Sequence, residues 1–275
     1  MTPLEAVRVV ARELGEAGVP SPRVDAEHLV AYVLGISRSD LYIPERKLSE
    51  EEIRRLRSVQ ERRRMREPLA YILGEWGFRR LTLKVDRRVL VPRPETEVLV
   101  DRCLERLRDL PRPRVLDVGV GSGAVALAIA DEHPGAQVVA VDRSADALAV
   151  ARENLERLGV DGAVELRRGD LLAGLSGPFD LVVSNPPYVS PDEYSTLQPE
   201  IRVYEPREAL VGVGVGMAIA RGALDVLTSG GWAVLECGDG QADDLAAEFE
   251  RLGYREVAKT RDLAGRERIV EGRCP

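Results

Sequence analysis

The stretch RVLDVGVGSGAVALAIADEHPGAQVVAVD, Arg114 to Asp142, decides how the rest of the chain is read. It opens on a short, mostly apolar run, RVLDV, with β-branched Val115 and Val118. It then turns on Gly119, Gly121 and Gly123, runs through a helical pattern to His133-Pro134, and ends in a second apolar run, QVVAVD. A short strand, a glycine turn, a helix and another short strand make a β-α-β unit, which places both strands parallel in one sheet. The pattern repeats downstream. ADALAVARENLERLG reads as a helix, AVELRRGD and FDLVVS as strands, and GWAVLEC as a strand before the helix ADDLAAEFERLG. A helix is also expected from about Met217 to Leu227. The last two strands, YREVAKT and RERIVEG, have no helix between them and are expected to pair antiparallel. The whole is an α/β fold with a mostly parallel sheet.

Upstream the period changes. PLEAVRVVARELGEAG has apolar residues at helical spacing and stops at Gly18. A second helix is framed by Ser21 as N-cap, Pro22 at its first position and Gly35 as its stop. A third has Ser49 and Glu52 spaced as a capping box. No alternating pattern precedes residue 70, so residues 1–70 read as a small all-α domain. Leu81, Leu83 and Val85 alternate before Asp86-Arg87-Arg88, and Val89 to Val91 follow. This reads as a β-hairpin linker over 71–94 with its turn at 86–88, leaving 95–275 as the α/β domain.

Composition bounds the function. The chain has 275 residues, 44% hydrophobic and 31% charged, an ordinary globular balance. Its net charge of −7 argues against a dedicated nucleic-acid binder, and no direct nucleic-acid contact is expected. The basic cluster ERRRMRE, Glu61 to Glu67, reads as a solvated helix face or a partner-docking patch. No apolar run is long enough for a transmembrane helix, and the amphipathic N-terminus is unlike a signal peptide. Cys103, Cys237 and Cys274 are widely spaced and the two histidines isolated, so no metal site or disulfide framework is expected. This fits a cytoplasmic protein with Cys103 and Cys237 as small buried hydrophobes.

The glycine turn admits two ligand readings. Gly119-x-Gly121-x-x-Ala124 fits a dinucleotide fingerprint. Gly119-x-Gly121-x-Gly123 after Asp117 fits the loop of S-adenosylmethionine methyltransferases. A tight turn without ligand is the bland alternative. Asp142, nineteen residues after Gly123, can accept both hydroxyls of an adenosine ribose in either ligand reading, or serve as an acid at a helix N-terminus beside Ser144. Asp170 ends the third strand, where a methyltransferase meets the adenine amino group. The second glycine run, VGVGVGM from Val211, follows a loop and reads as a flexible lead-in to the next helix.

FDLVVSNPPYVS separates the readings. Asn185 ends the fourth strand, where ligands of open α/β sheets bind. Pro186 holds Asn185 extended, and Pro186 and Pro187 together remove two N–H donors. What remains is acceptor-rich, with Tyr188 adding a flat face. Such a segment suits a planar nitrogen bearing N–H donors. Acceptors that grip those hydrogens orient its lone pair, and orientation can supply roughly 7–11 kcal/mol of a barrier. A dehydrogenase leaves Asn185 to Tyr188 unexplained, and a non-catalytic binding module needs no such tip. A DNA amino-methyltransferase shares the motif but would want a recognition domain and a basic groove.

With these motifs in order, PLAYILGEWGF, VLVPRPETE, SNPPYVS, YEPREALVG and LECG together resemble the HemK family, the release factor glutamine methyltransferases, over nearly the whole chain. The resemblance implies a Rossmann-like class I methyltransferase domain behind an N-terminal domain that helps dock the substrate. It implies a monomer that methylates N5 of the Gly-Gly-Gln glutamine in class I peptide chain release factors. S-adenosyl-L-methionine is the implied donor and S-adenosyl-L-homocysteine the product. By motif match, Gly119, Val120, Gly121, Ser122 and Gly123 line the cofactor's methionine part, Asp142 takes its ribose, and Asp170 with Leu171 frames adenine. Asn185 and the Pro186 carbonyl hold the glutamine amide, with Pro187 and Tyr188 beside it. A glutamine methyltransferase of a ribosomal protein would share nearly every motif. Three positions depart from the family pattern: Leu171 where an aromatic is common, Val120 where a small polar residue is common, and GVGVGM in place of a loop bearing an acid.

Overall fold

The computed structural model describes residues 1–43, 46–160 and 162–275. By its contacts the chain forms two compact units. One is Met1–Glu75 with Gln198–Tyr204, and the other is Trp76–Leu197 with Glu205–Pro275. The sequence reading instead cut the chain at residues 70 and 94 and kept 198–204 with the α/β part.

The first unit is helical: α1 (Pro3–Glu16), α2 (Pro22–Leu34), α3 (Glu50–Arg64) and α4 (Leu69–Leu73). Capping boxes at Thr2–Glu5 and Ser49–Glu52 satisfy the first free N–H groups of α1 and α3. Ser21 occupies the N-cap of α2 but its side chain makes no cap bond, and Gly35 ends that helix in the left-handed conformation. Val10, Leu14, Leu29, Val30 and Leu56 form its core. The basic cluster is largely absorbed here. Arg63 is buried on α3, its Nε donating to Asp25 at 2.6 Å and an Nη to Glu200 at 2.9 Å. Arg66 grips the same Glu200 with two bonds of 2.6 Å, and Arg62 pairs with Glu67. Glu200 belongs to a later helix of the chain, so these charges hold a distant segment and do not form an open basic face.

The second unit begins with a two-stranded sheet, β1 (Glu75–Phe78) and β2 (Leu81–Lys84). The hairpin therefore exists but turns at Arg79-Arg80, with Arg79 at φ 52°, and not at 86–88. After β2, Asp86 accepts the Arg88 N–H in a local turn, and Val89 to Val91 pair with no strand. Pro92 and Pro94 could not donate to a ladder there.

Next come α5 (Pro94–Leu107), β3 (Arg114–Val118), α6 (Ala124–Glu132), β4 (Gln137–Asp142), α7 (Ala145–Leu158), β5 (Val164–Arg168) and β6 (Phe179–Ser184). α8 (Pro191–Thr196) follows, then α9 (Pro199–Tyr204), which is the excursion into the first unit. The chain ends with α10 (Val215–Ala223), β7 (Leu227–Glu236), α11 (Ala242–Arg251), β8 (Arg255–Arg261) and β9 (Glu267–Arg273). The sheet order is β5-β4-β3-β6-β7-β9-β8. Pairing is parallel from β5 to β7, and β9 is antiparallel to both its neighbours. β7 starts earlier than its apolar run suggests. Leu227 pairs with Phe179, then the register shifts before Leu181 meets Trp232, with Gly230 and Gly231 in the irregular part.

The central strands are buried on both faces, and their period of two divides the core. Val115, Ala140, Leu181 and Val183 pack toward α5, α6 and α7. Leu116, Val118, Val139, Val141 and Val182 pack toward α10 and α11. This is why these strands read as unbroken apolar runs. The chain steps from β3 out through β4 to β5, then returns to the other side of β3 as β6. The order reverses between β3 and β6, and the crevice there is where open α/β sheets take ligands. Cys103, Cys237 and Cys274 are free thiols and all buried. No described helix is long and apolar enough to cross a membrane.

Candidate active site

A cavity of about 420 Å³ opens at that reversal. Its wall includes Gly119, Val120, Gly121 and Ser122 after β3, Asp142 at the end of β4, Asp170 and Leu171 after β5, and Asn185 and Pro187 after β6. Gly123, Pro186 and Tyr188 are not part of that wall. Gly123 instead faces α6, where a Cβ would come within 2.7 Å of Leu127. Pro186 is buried.

The glycine loop is shaped from both sides. The Gly119 and Val120 N–H groups both donate to the Val141 carbonyl, at 2.8 and 3.0 Å. Buried Asn154 on α7 donates to the Ser122 carbonyl at 2.9 Å and exchanges two bonds with the Lys84 backbone, tying β2 to the loop. Gly119 and Gly121 have φ of 84° and 54°, and a Cβ at either would meet no protein atom within 4 Å. The loop thus presents bare backbone to the cavity. Asp142 accepts the Gly121 N–H at 3.0 Å on one oxygen and the Ser144 N–H at 2.9 Å on the other. The acid at the helix N-terminus is thus seen, and it also braces the turn, while a carboxylate's roughly four acceptor sites leave capacity for further donors. Asp117, wholly buried beneath the loop, accepts the Ala126 N–H, and burial pushes its carboxyl up to about 7. Leu171 holds φ 49°, a left-handed conformation uncommon for a bulky residue, at the cavity wall.

β6 delivers the Asn-Pro-Pro-Tyr segment. The Ser184 hydroxyl donates to the Val118 carbonyl at 2.6 Å, fastening the ends of β6 and β3. Asn185 Nδ2 donates to Thr96 Oγ1 at 3.0 Å. Downstream, the Val189 N–H donates to Leu210 and the Gly212 N–H to Val189. Gly212 lies so close to Pro187 that a Cβ would fall 2.7 to 2.9 Å from its ring and carbonyl oxygen. The second glycine run is therefore a clasp on the proline segment and not a flexible lead-in. Gly216, within α10, lies at ordinary packing distance from Pro186, where a Cβ would stand 3.7 Å from its ring.

Six residues without a role in the sequence reading complete the site. Thr96 on α5 donates its hydroxyl to Glu236 at 2.8 Å, and Glu236, at the end of β7, is 1% exposed. Burial raises the Glu236 carboxyl to about 7. Arg93, on the cavity wall, pairs with buried Glu205. Burial raises Glu205 too. Thr96 and Arg93 fall within PRPETE, Glu205 within YEPREALVG and Glu236 within LECG, so the motifs marked them although nothing local stated their task. Arg268 lies over the Tyr188 ring at 5.5 Å, and Gln241 donates to the Tyr188 carbonyl. Burial pushes the Tyr188 phenol up to about 12, so it remains protonated at neutral pH.

Comparison with known proteins places the chain in a family. Residues 5–74 match the family model described as PrmC N-terminal domain, and 95–235 match Methyltransferase small domain. The release factor glutamine methyltransferase of Caulobacter vibrioides is 40% identical, covering 99% of this chain and 96% of that one. The protein of the same name from Deinococcus radiodurans is 45% identical, covering 94% of each. The chain belongs to the release factor glutamine methyltransferase family. In fold it also resembles the crystal structure of a methyltransferase from Pyrococcus furiosus, with a TM-score of 0.51 at 21% identity over 70% of this chain and 87% of that one. As in its family, the helical residues 5–74 precede the methyltransferase domain, and the glycine loop and SNPPY both fall inside the second match.

Proposed function

We propose that this enzyme methylates the side-chain amide nitrogen, N5, of the glutamine in the Gly-Gly-Gln motif of class I peptide chain release factors. The observation that carries the reading is the convergence of Asn185 with Gly119 to Ser122 and Asp142 on one cavity. The choice of release factor rests on relatives of that name matched nearly end to end.

S-adenosyl-L-methionine fits the residues present. Bare glycine backbone with open space over it suits close approach of a ligand chain, Asp142 retains acceptor capacity for ribose hydroxyls, and Leu171 offers an apolar wall near Asp170. When bound, the cofactor supplies an electrophilic methyl group and leaves as S-adenosyl-L-homocysteine. The chain's own part is to prepare the nucleophile. An amide nitrogen has its lone pair delocalised. Asn185 Oδ1, with the Pro186 carbonyl, accepts its N–H groups, directs the lone pair and favours the positive charge that develops on the nitrogen. Tyr188, kept protonated and braced by Arg268 and Gln241, packs beside it. No general base is needed before transfer, since the proton becomes acidic only after the nitrogen is alkylated. The buried free thiols fit a reducing cytoplasm.

The test incubates the enzyme with purified release factor and labelled cofactor and maps the methyl by mass spectrometry. Label on the Gly-Gly-Gln peptide is expected. Label on a ribosomal protein or on DNA, with none on that peptide, overturns the reading.

A further inference from the structure

An asparagine amide has two nearly isosteric ends with opposite character, since Oδ1 accepts and Nδ2 donates. A grip on a donor-bearing substrate works only if Oδ1 faces it. Something in the protein must therefore choose the end. The Thr96 hydroxyl stands between Asn185 Nδ2 and Glu236, at 3.0 and 2.8 Å, with Thr96 and Glu236 both buried. A hydroxyl carries a single proton. An ionised Glu236 has only lone pairs to offer, so that proton goes to Glu236, and Thr96 can then only accept from Asn185.

We infer that Thr96 and Glu236 form a polarity relay that fixes Nδ2 of Asn185 inward and leaves Oδ1 to the substrate, making both of them positioning residues for methyl transfer. The inference rests on the reading of Asn185 as the amide grip. A neutral Glu236 would undo the relay. It could donate to Thr96, whose own proton could then go to Oδ1 of a reversed Asn185, turning a donor toward the substrate's donors. Burial favours that neutral form, as does Glu95 at the start of α5. Arg268 on β9 and Arg93 before α5 oppose it. Tyr188 and Cys237, titratable neighbours both raised by burial, stay protonated. The ionised and neutral forms are thus closely balanced at neutral pH, and the relay should lose its direction as pH falls below about 7.

Three variants decide it. Glu236→Gln keeps shape but supplies a donor, and Thr96→Val keeps shape but removes the hydroxyl. Each is expected to lower kcat by about 10²-fold, the scale of a misplaced reacting group, while KM and cofactor affinity stay within about twofold. Thr96→Ser should restore most of the rate. The wild-type kcat should rise with pH through about 7, and Glu236→Gln should lack that limb. A second readout needs no substrate. In ligand-free protein labelled with 15N-asparagine, one Asn185 side-chain N–H should be protected from exchange in wild type and lose protection in Thr96→Val. Full kcat in folded Glu236→Gln and Thr96→Val, or identical Asn185 exchange in wild type and Thr96→Val, overturns the relay. Wild-type enzyme that leaves the release factor unmodified would instead defeat the functional reading, and the exchange measurement would still decide the relay.

Discussion

Gly212→Ala tests whether the clasp on the proline segment sets the catalytic geometry. The added methyl carbon would lie 2.7 and 2.8 Å from the Pro187 ring carbons and 2.9 Å from its carbonyl oxygen. Ordinary carbon contacts begin near ~3.5 Å, so the segment must yield by about 0.8 Å. Pro187 cannot give way by rotating a side chain, because its ring is fused to the backbone. The shift therefore passes into the peptide chain one residue from Pro186 and two from Asn185. Overpacking of this kind costs about 1–3 kcal/mol of stability. Displacing a reacting group by ~1 Å can cost about 10²-fold in rate. We expect kcat on release factor to fall by 10- to 100-fold, with cofactor affinity by calorimetry unchanged and the protein folded. Gly214→Ala is the matched control. Its φ of 80° makes alanine strained by about 1–2 kcal/mol, but no atom stands within 4 Å of the new carbon, so stability should drop with little loss of kcat. A Gly212→Ala enzyme with kcat within twofold of wild type would refute the argument, as would equal losses in the two variants.

Other outcomes follow from the same site. Asn185→Ala should abolish turnover yet bind cofactor normally, measured by single-turnover transfer beside calorimetry. Asp142→Ala removes an acceptor and two braces of the glycine turn, so cofactor affinity should fall by about 10- to 100-fold, the worth of one charged hydrogen bond at ~1.5–3 kcal/mol. Asp117 has its carboxyl raised from 3.8 to about 7 by burial, so the fold is favoured by its protonated form. That stability is complete below pH about 4 and is lost as pH rises through about 7, a decline of up to about 4 kcal/mol. Urea unfolding across that range should show a flatter curve for Asp117→Asn. In the helical unit, Arg63→Ala strips buried Asp25 of its Arg63 partner and Glu200 of one of its two arginines, and should cost about 3–5 kcal/mol. Arg64→Ala, whose pair with Glu61 is exposed, should stay within about 0.5 kcal/mol.

The sheet was legible because its strands are buried on both faces and separated by helices, so hydrophobicity alone marked Val115–Val118, Val138–Val141 and Leu181–Val183. The Gly119 to Gly123 turn and Asn185 were legible because their chemistry is local. The hairpin was misplaced because Val89 to Val91 are apolar for burial, not for pairing, and periodicity does not separate these. The run from Val211 to Met217 looked loose because glycine signals either freedom or close approach, and only the position of Pro187 tells which. Thr96 and Glu236 lie 140 residues apart, and their pairing depends on strand order that no local pattern encodes.

The placement of α9 bears on how such a protein can be taken apart, in the laboratory or by evolution. Its chain enters the helical unit twice: it begins there, departs at Trp76, and dips back for seven residues after α8. Cutting at Gly74, where the family match to the first domain stops, yields a fragment that retains Arg63 and Arg66 but forfeits Glu200, their shared carboxylate. The helical half is thus an incomplete module by itself. Swapping it between relatives would succeed only if the short helix from the other half of the gene travelled with it.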